Sequence, residues 1–149
     1  PTFAPFEFQE KDSKDFTGFD MDLIRAIGKQ MGRDVEIKNM GFDALIPAIN
    51  SGNIDVVASG MSITEERKKA VTFSDPYYTS GLAIIVRNDE NNIKSLKDLE
   101  GKTISVQIGT TGADKAASVP GAKVKTFNTN AEVFLELNNK NADAVIWAN

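Results

Sequence analysis

The apolar residues in the first half of the chain follow two alternating spacings, one typical of helices and one typical of strands. Between residues 19 and 31 they recur on one helical face, with Asp20 as a candidate cap and Gly32 as the stop. Further along, the pattern predicts a strand over 34–40, a helix over 42–49, a strand over 54–58 and a helix over 64–70. Strand, helix and strand at this spacing form βαβ units, which require a parallel sheet.

The second half of the chain repeats this alternation. Residues 81–87 are so uniformly apolar that they predict a fully buried strand. The elements predicted after it are a short helix over 95–101, a strand over 102–108, a helix from 113, a strand over 122–127, a helix over 130–138 and a buried strand over 142–147. The predicted fold class is therefore α/β throughout.

The segment that joins the halves is Asp75-Pro-Tyr-Tyr-Thr-Ser-Gly81. A proline and a glycine bracket two tyrosines and two hydroxyl residues, which is typical of an extended crossing between two lobes. The alternative is a surface loop within a single domain. We expect a first lobe over 1–79 and a second lobe over 80–149.

Composition narrows the chemistry of the chain. Its 149 residues include no cysteine and no histidine, which excludes disulfides, thiolate nucleophiles and zinc sites of the usual His/Cys type. The formal net charge of −4 argues against nucleic-acid binding, which needs clustered positive charge. No apolar run reaches the roughly 18 residues that span a bilayer. We therefore expect no metal, no cofactor, no nucleic-acid partner and no membrane span.

Three local patterns could carry chemistry. The turn over 109–112 lies between a predicted strand and a predicted helix, where backbone N–H groups converge on an anion; a plain turn is the alternative. The acid pairs Asp20/Asp22 and Glu65/Glu66 begin helices, which favours a capping role. Arg67 follows a stretch of small and hydroxyl residues, and taken alone it is either a ligand clamp or a surface arginine.

Taken together, several longer motifs resemble one known family. They are Gly18-Phe-Asp-Met-Asp-Leu23, Phe42-Asp-Ala-Leu-Ile-Pro-Ala48, Asp55-Val-Val-Ala-Ser-Gly-Met-Ser-Ile-Thr-Glu-Glu-Arg-Lys-Lys69, Phe73-Ser-Asp-Pro-Tyr-Tyr78 and Ser95-Leu-Lys-Asp-Leu-Glu-Gly101. The chain resembles the periplasmic polar-amino-acid-binding proteins of ABC importers (bacterial solute-binding protein family 3), and most of all their glutamine-binding group. The resemblance covers essentially the whole chain, in the order of the family.

This resemblance implies a two-lobe periplasmic-binding-protein fold of type II, with a mostly parallel sheet flanked by helices in each lobe and one amino acid held in the cleft between them. It implies that Arg67 binds the ligand carboxylate as a bidentate fork, which suits the planar guanidinium. The other implied contacts are the backbone N–H groups of Ser62 and Thr111, the carbonyl of Gly60 with its neighbour Ser59, the aromatic rings of Phe3 and Phe42, and the side chain of Gln107.

The chain departs from the family in two respects. The last motif reads Ala142-Asp-Ala-Val-Ile-Trp-Ala-Asn149, so that Ala148 stands where the family carries an aspartate that pairs with the ligand ammonium. The family's opening strand should also precede Pro1, and the return crossing of the hinge should follow Asn149. We therefore expect both lobes to be incomplete.

The expected function is binding of a free amino acid, with glutamine first and arginine or lysine as the alternative, and delivery to the membrane subunits of an ABC importer. The expected location is the periplasm, or the cell surface as a lipoprotein. A receptor or sensor domain on the same fold is a second hypothesis. An enzyme that dehydrates small carboxylic acids is the third; it would need a general acid, for which Glu7 is the candidate, and we expect no enzymatic activity.

Overall fold

The computed structural model describes residues 2–148 and divides the chain into two units. They are called here the amino-terminal unit (Pro1–Ser74) and the carboxy-terminal unit (Asp75–Asn149). Each unit carries its own helices and strands, and each is described by itself.

The main helix of the amino-terminal unit is α1 (Phe19–Met31), whose predicted bounds are confirmed. It ends because Gly32 adopts a left-handed conformation at φ 64°, which a residue without Cβ adopts at little cost. Before it, two short strands that the sequence did not predict, β1 (Phe8–Gln9) and β2 (Phe16–Thr17), form an antiparallel hairpin.

The two other predicted helices of this unit are confirmed with shorter bounds. A 3-10 turn over Phe42–Ala44 leads directly into α2 (Leu45–Asn50). Helix α3 is a single turn (Glu65–Lys68), and the hydroxyl of Thr64 caps it by accepting a hydrogen bond from the backbone N–H of Arg67 at 3.2 Å.

The two strands predicted over 34–40 and 54–58 are wrong for the part of the chain that the structure describes. Both segments lack regular secondary structure, and none of their backbone N–H or C=O groups takes part in a backbone–backbone hydrogen bond. A strand needs a hydrogen-bonded neighbour, and here neither segment has one. Together with the apolar face of α1, they line an open groove of about 710 Å³.

The carboxy-terminal unit contains a four-stranded sheet in the order β3-β6-β4-β5. Strands β4 (Thr103–Gln107), β5 (Lys123–Phe127) and β6 (Ala144–Ala148) are parallel, whereas β3 (Leu82–Ile85) runs antiparallel to β6. The strand predicted over 81–87 is confirmed as β3, but its predicted full burial is wrong, because β3 lies at the edge of the sheet and Leu82 is 44% exposed. A short apolar run does not distinguish a central strand from an edge strand.

Helices cover both faces of this sheet. One face is covered by a 3-10 turn over Leu96–Leu99 and by α4 (Thr111–Ala117). The 3-10 turn begins with a capping box formed by Ser95 and Asp98. Helix α5 (Asn130–Asn138) begins with a second capping box and has the bounds that the sequence predicted.

The hydrophobic core of this unit accordingly has two parts. The larger cluster includes the fully buried Leu99, Ile104 and Val106, and the smaller one contains Val133, Leu137 and Val145. Among residues 2–148, no helix is both long enough and apolar enough to cross a membrane.

Candidate functional site

The amino-terminal unit holds Arg67 in a fixed orientation. Its Nη1 donates a hydrogen bond to the carbonyl oxygen of Ser62 at 2.8 Å, and its Cζ lies 5.5 Å from the centroid of the Phe42 ring. A hydrogen bond therefore holds one edge of the guanidinium, and a cation–π contact with Phe42 holds one of its faces. Three of the residues predicted for the site, Arg67, Ser62 and Phe42, are thus brought together.

A second group of predicted residues forms around Gly60, which has a positive φ of 51°. The ring of Phe3 lies directly against it, because a Cβ built on Gly60 would come within 2.6 Å of the ring. Phe3 in turn stacks on Phe6 with the ring centroids 5.1 Å apart. A glycine is therefore required here both by the backbone conformation and by the neighbouring ring.

Asp20, in α1, forms a hydrogen bond with Gly60. Its side chain is completely buried, and its Oδ2 accepts a hydrogen bond from the backbone N–H of Gly60. The predicted capping role of Asp20 is therefore wrong: the N-cap of α1 is Gly18, with no side-chain cap, whereas the carboxylate of Asp20 reaches a residue 40 positions away. Asp22 also lies in the first turn of α1, but its side chain is exposed, and its Oδ1 is 3.9 Å from Nη1 of Arg25.

Glu7 is the second buried acid of this unit, and it holds Ser59. The hydroxyl of Ser59 donates to Oε1 of Glu7 at 2.7 Å, while Oε2 of Glu7 is buried and has no hydrogen-bond partner among residues 2–148. The pKa of Glu7 is raised to about 7, chiefly because burial disfavours its charged form; the Ser59 hydrogen bond opposes this rise and the charge of Asp20 adds to it. Glu7 therefore titrates near neutral pH in a chain without histidine.

Sequence reasoning considered Glu7 only as a candidate acid, and it assigned Asp20 to a helix cap. The available signal was the position of Glu7, a single acid between Phe6 and Phe8. Acidic side chains are seldom fully buried unless they are paired, so an acid inside an aromatic run indicates a specific partner.

The carboxy-terminal unit positions the two remaining predicted residues at the end of β4. Gln107 is its last residue, and its Nε2 donates to the carbonyl oxygen of Asn128 at 3.0 Å. Thr111 is the first residue of α4, which Thr110 caps by accepting from the N–H of Ala113 at 3.2 Å. The predicted strand-to-helix turn over 109–112 is thereby confirmed as local structure.

Ala148 is the last residue of β6 and lies opposite Leu82 in the register of the sheet. Its half-buried methyl group offers neither charge nor hydrogen bond. Within residues 2–148 there is no cluster of three acidic, histidine or cysteine side chains that could hold a metal ion.

The chain matches the family described as bacterial extracellular solute-binding proteins, family 3, over residues 1–148. It is 40% identical over 147 residues to the arginine-binding extracellular protein ArtP of Bacillus subtilis, covering 97% of this chain and 56% of that protein. It is also 40% identical to a probable histidine-binding protein of Campylobacter jejuni, covering 98% of this chain and 56% of that protein.

Among solved structures, the arginine-bound form of truncated ArgBP from T. maritima aligns with a TM-score of 0.96 at 46% identity. That alignment covers 99% of this chain and 70% of the other chain. The chain therefore belongs to family 3 of the bacterial extracellular solute-binding proteins, and its α/β fold is the one that the sequence predicted. It spans about half the length of the curated relatives it matches.

Proposed function

We propose that this protein binds a free polar amino acid through its α-carboxylate. The observation that supports this function is the guanidinium of Arg67, which Ser62 and Phe42 hold in one orientation. A positioned planar fork matches a carboxylate better than a mobile one, since less side-chain freedom is lost on binding. The proposed partners of the same carboxylate are the backbone N–H groups of Ser62 and Thr111.

The side chain of the ligand is proposed to be a hydrogen-bond donor. One N–H of Gln107 Nε2 donates to the carbonyl oxygen of Asn128, which turns the amide so that its oxygen is available to accept from a ligand donor, while the second N–H also remains. Arginine, glutamine and histidine all have donors at the end of their side chains. We rank arginine ahead of the glutamine that the sequence favoured, because a relative at 40% identity is named for arginine and a relative at 46% identity was solved with it.

We further propose that the protein works outside the cytoplasm and delivers its ligand to the membrane subunits of an ABC importer. Family membership supports this role, and it supports a receptor or sensor domain on the same fold less directly. No reaction is assigned to the chain, because the relatives named above are binding proteins.

The function is tested by a thermal-shift screen of the intact protein against the twenty amino acids, followed by calorimetry on those that raise the melting temperature. A ligand that binds only the folded state must raise it. We expect arginine to give the largest shift and glutamine a smaller one. If no amino acid changed the melting temperature or produced a binding heat, the proposed function would be wrong.

A further inference from the structure

The proposed function leaves one buried acid, Asp20, unexplained. Its side chain is completely buried in the first turn of α1, and its Oδ2 accepts a hydrogen bond from the backbone N–H of Gly60. Burying a carboxylate costs free energy unless it is hydrogen-bonded. A bond from a backbone N–H to a carboxylate is charge-assisted and roughly twice as strong as a neutral one. Gly60 is therefore held more firmly than an ordinary residue outside helices and strands.

The start of α1 keeps Asp20 itself in a fixed position. The N–H of Asp20 donates to the carbonyl oxygen of Phe6 at 2.9 Å, and the N–H of Phe19 donates to that of Pro5 at 2.9 Å. Gly18 lies so close to the same turn that a Cβ built on it would come within 2.4 Å of the Phe6 carbonyl oxygen. The carboxylate of Asp20 is therefore carried by a backbone that is hydrogen-bonded on both sides of Phe19.

Gly60 is consequently held from two directions. Asp20 binds its N–H, and the ring of Phe3 lies against its α-carbon. Because a peptide unit is planar, holding the N–H of Gly60 fixes the whole peptide unit between Ser59 and Gly60. The two dihedral angles of Gly60, of which φ is 51°, then set the direction of its own carbonyl group.

The carbonyl of Gly60 is an available acceptor near the Arg67 anchor. No backbone–backbone hydrogen bond among residues 2–148 uses it, although the residue is half-buried, and carbonyls removed from water nearly always have a partner. Two residues further on, the carbonyl of Ser62 accepts from Nη1 of Arg67, and two residues of chain span at most about 7 Å. The α-ammonium of an amino acid is one carbon away from its carboxylate, so a ligand bound to Arg67 brings its ammonium within reach of Gly60.

We propose that Asp20 is a positioning residue for the α-ammonium of the ligand. Through the N–H of Gly60 it holds the Gly60 carbonyl in the orientation that accepts from that ammonium. The role rests on the proposed function and on the Gly60 contact that the family resemblance implies, and it adds a residue that does not itself touch the ligand. Its effect is confined to the ammonium, because Arg67 binds the carboxylate without help from Asp20.

The test uses pairs of ligands that differ only in the α-ammonium, with calorimetry on the intact protein. The pairs are arginine with δ-guanidinovalerate, and glutamine with glutaramate. Within a pair the carboxylate and the side chain are the same, so the ratio of the two affinities reports the ammonium contact. In Asp20→Ala, which removes the acceptor for the Gly60 N–H, this ratio should fall about tenfold, as expected for a weakened hydrogen bond to a charged group. The affinity of the analogue that lacks the ammonium should stay the same.

Asp20→Asn is the conservative variant, and it decides the question if Asp20→Ala fails to fold. It keeps the shape of the side chain and an acceptor oxygen for Gly60, but it loses the charge. The ratio should fall about threefold, because a neutral hydrogen bond is about half as strong as a charge-assisted one. Asp22→Asn and Asp22→Ala are the matched controls in the same turn of α1, since the side chain of Asp22 is 81% exposed, and they should keep the wild-type ratio.

An unchanged ratio in Asp20→Asn would overturn the role of Asp20. An equal loss of affinity for both members of a pair, in either Asp20 variant, would also overturn it, because a residue that only stabilises the fold affects both ligands alike. If none of the four ligands bound the wild-type protein, the proposed function itself would fail, and that result is read from the wild type alone.

Discussion

The two units of the chain differ in how they use their buried residues. Among the described residues, twelve of the sixteen buried hydrophobic residues lie in the carboxy-terminal unit, most of them on or beside its four-stranded sheet. The amino-terminal unit has four, and its strands are only two residues long. Yet this unit buries Glu7 and Asp20 and holds Arg67.

The two units are therefore stabilised to different extents by apolar burial. The carboxy-terminal unit is stabilised by apolar burial, the main favourable term in folding. The interior of the amino-terminal unit includes the acidic side chains of Glu7 and Asp20, and burying such groups costs free energy. It therefore combines the smaller hydrophobic core with the more polar site.

The largest expected effect concerns local stability of the 149-residue chain. We predict that segments 34–40 and 54–58 open locally far more often than the sheet of the carboxy-terminal unit, because neither segment has a hydrogen-bonded neighbour. In native-state hydrogen exchange, amides of β4 and β6 should be protected at least about a thousandfold more than amides of these segments. A single cooperative melt with similar protection in both units would contradict this prediction.

The next effect is the pH dependence that Glu7 gives to folding. Its pKa is about 7 in the folded state against an ordinary 4.5, so the folded state binds more protons between these values. Stability should therefore be highest below about pH 4.5 as far as Glu7 is concerned, and fall by roughly 3 kcal/mol as the pH rises through 7. Urea unfolding at pH 5 and pH 8 measures it.

Glu7→Gln should remove this part of the pH dependence, and Asp22→Asn should keep it. A Glu7→Gln protein that lost stability with pH as steeply as the wild type would show that Glu7 is not the group responsible.

A smaller effect is expected at the carboxylate anchor. Arg67→Lys keeps the charge but loses the fork and its stacking on Phe42, so amino-acid affinity should fall at least about tenfold, or roughly 1.4 kcal/mol. Calorimetry on the intact protein measures it. Arg33→Lys, at an exposed arginine of the same unit, is the control and should bind as the wild type does. Unchanged affinity in Arg67→Lys would remove this residue from the site.

The smallest expected effect tests the carboxy-terminal unit. Ala148→Asp introduces the carboxylate that the family resemblance implies at this position, and it should tighten amino-acid binding by about tenfold, which corresponds to 1.4 kcal/mol. The half-buried end of β6 opposite the exposed Leu82 can accept the change. Calorimetric titration of the intact protein and of the variant measures it. An aspartate variant that bound no better would mean that the ligand ammonium has another partner.

Local signals predicted local structure well. Helices α1 and α5 begin and end where the sequence indicated, because a glycine stop and a capping box act within a few residues. The strands over 34–40 and 54–58 could not be judged from their own residues, since a strand depends on a neighbour that alternation does not reveal. The edge position of β3 could not be predicted either, because its own residues do not show how many neighbouring strands it has.

The candidate site shows the same limit. Asp20 and Asp22 have equivalent positions at the start of α1, yet one is buried against Gly60 and the other is exposed. Only the folded chain brings residue 60 to residue 20. The grouping of Arg67 with Ser62 and Phe42 was within reach of the sequence through the family resemblance. The contact of Glu7 with Ser59 spans 52 positions, and no local pattern identifies Ser59 as the partner of that acid.

The single tryptophan of the chain has a consequence for optical spectroscopy. Trp147 lies in β6, with its ring 4.8 Å from that of Phe134, and both tyrosines, Tyr77 and Tyr78, also belong to the carboxy-terminal unit. The amino-terminal unit contains phenylalanine as its only aromatic residue. Intrinsic tryptophan and tyrosine fluorescence therefore comes from residues of the carboxy-terminal unit. A dye attached near α1 would report directly on the unit that carries Arg67 and Glu7.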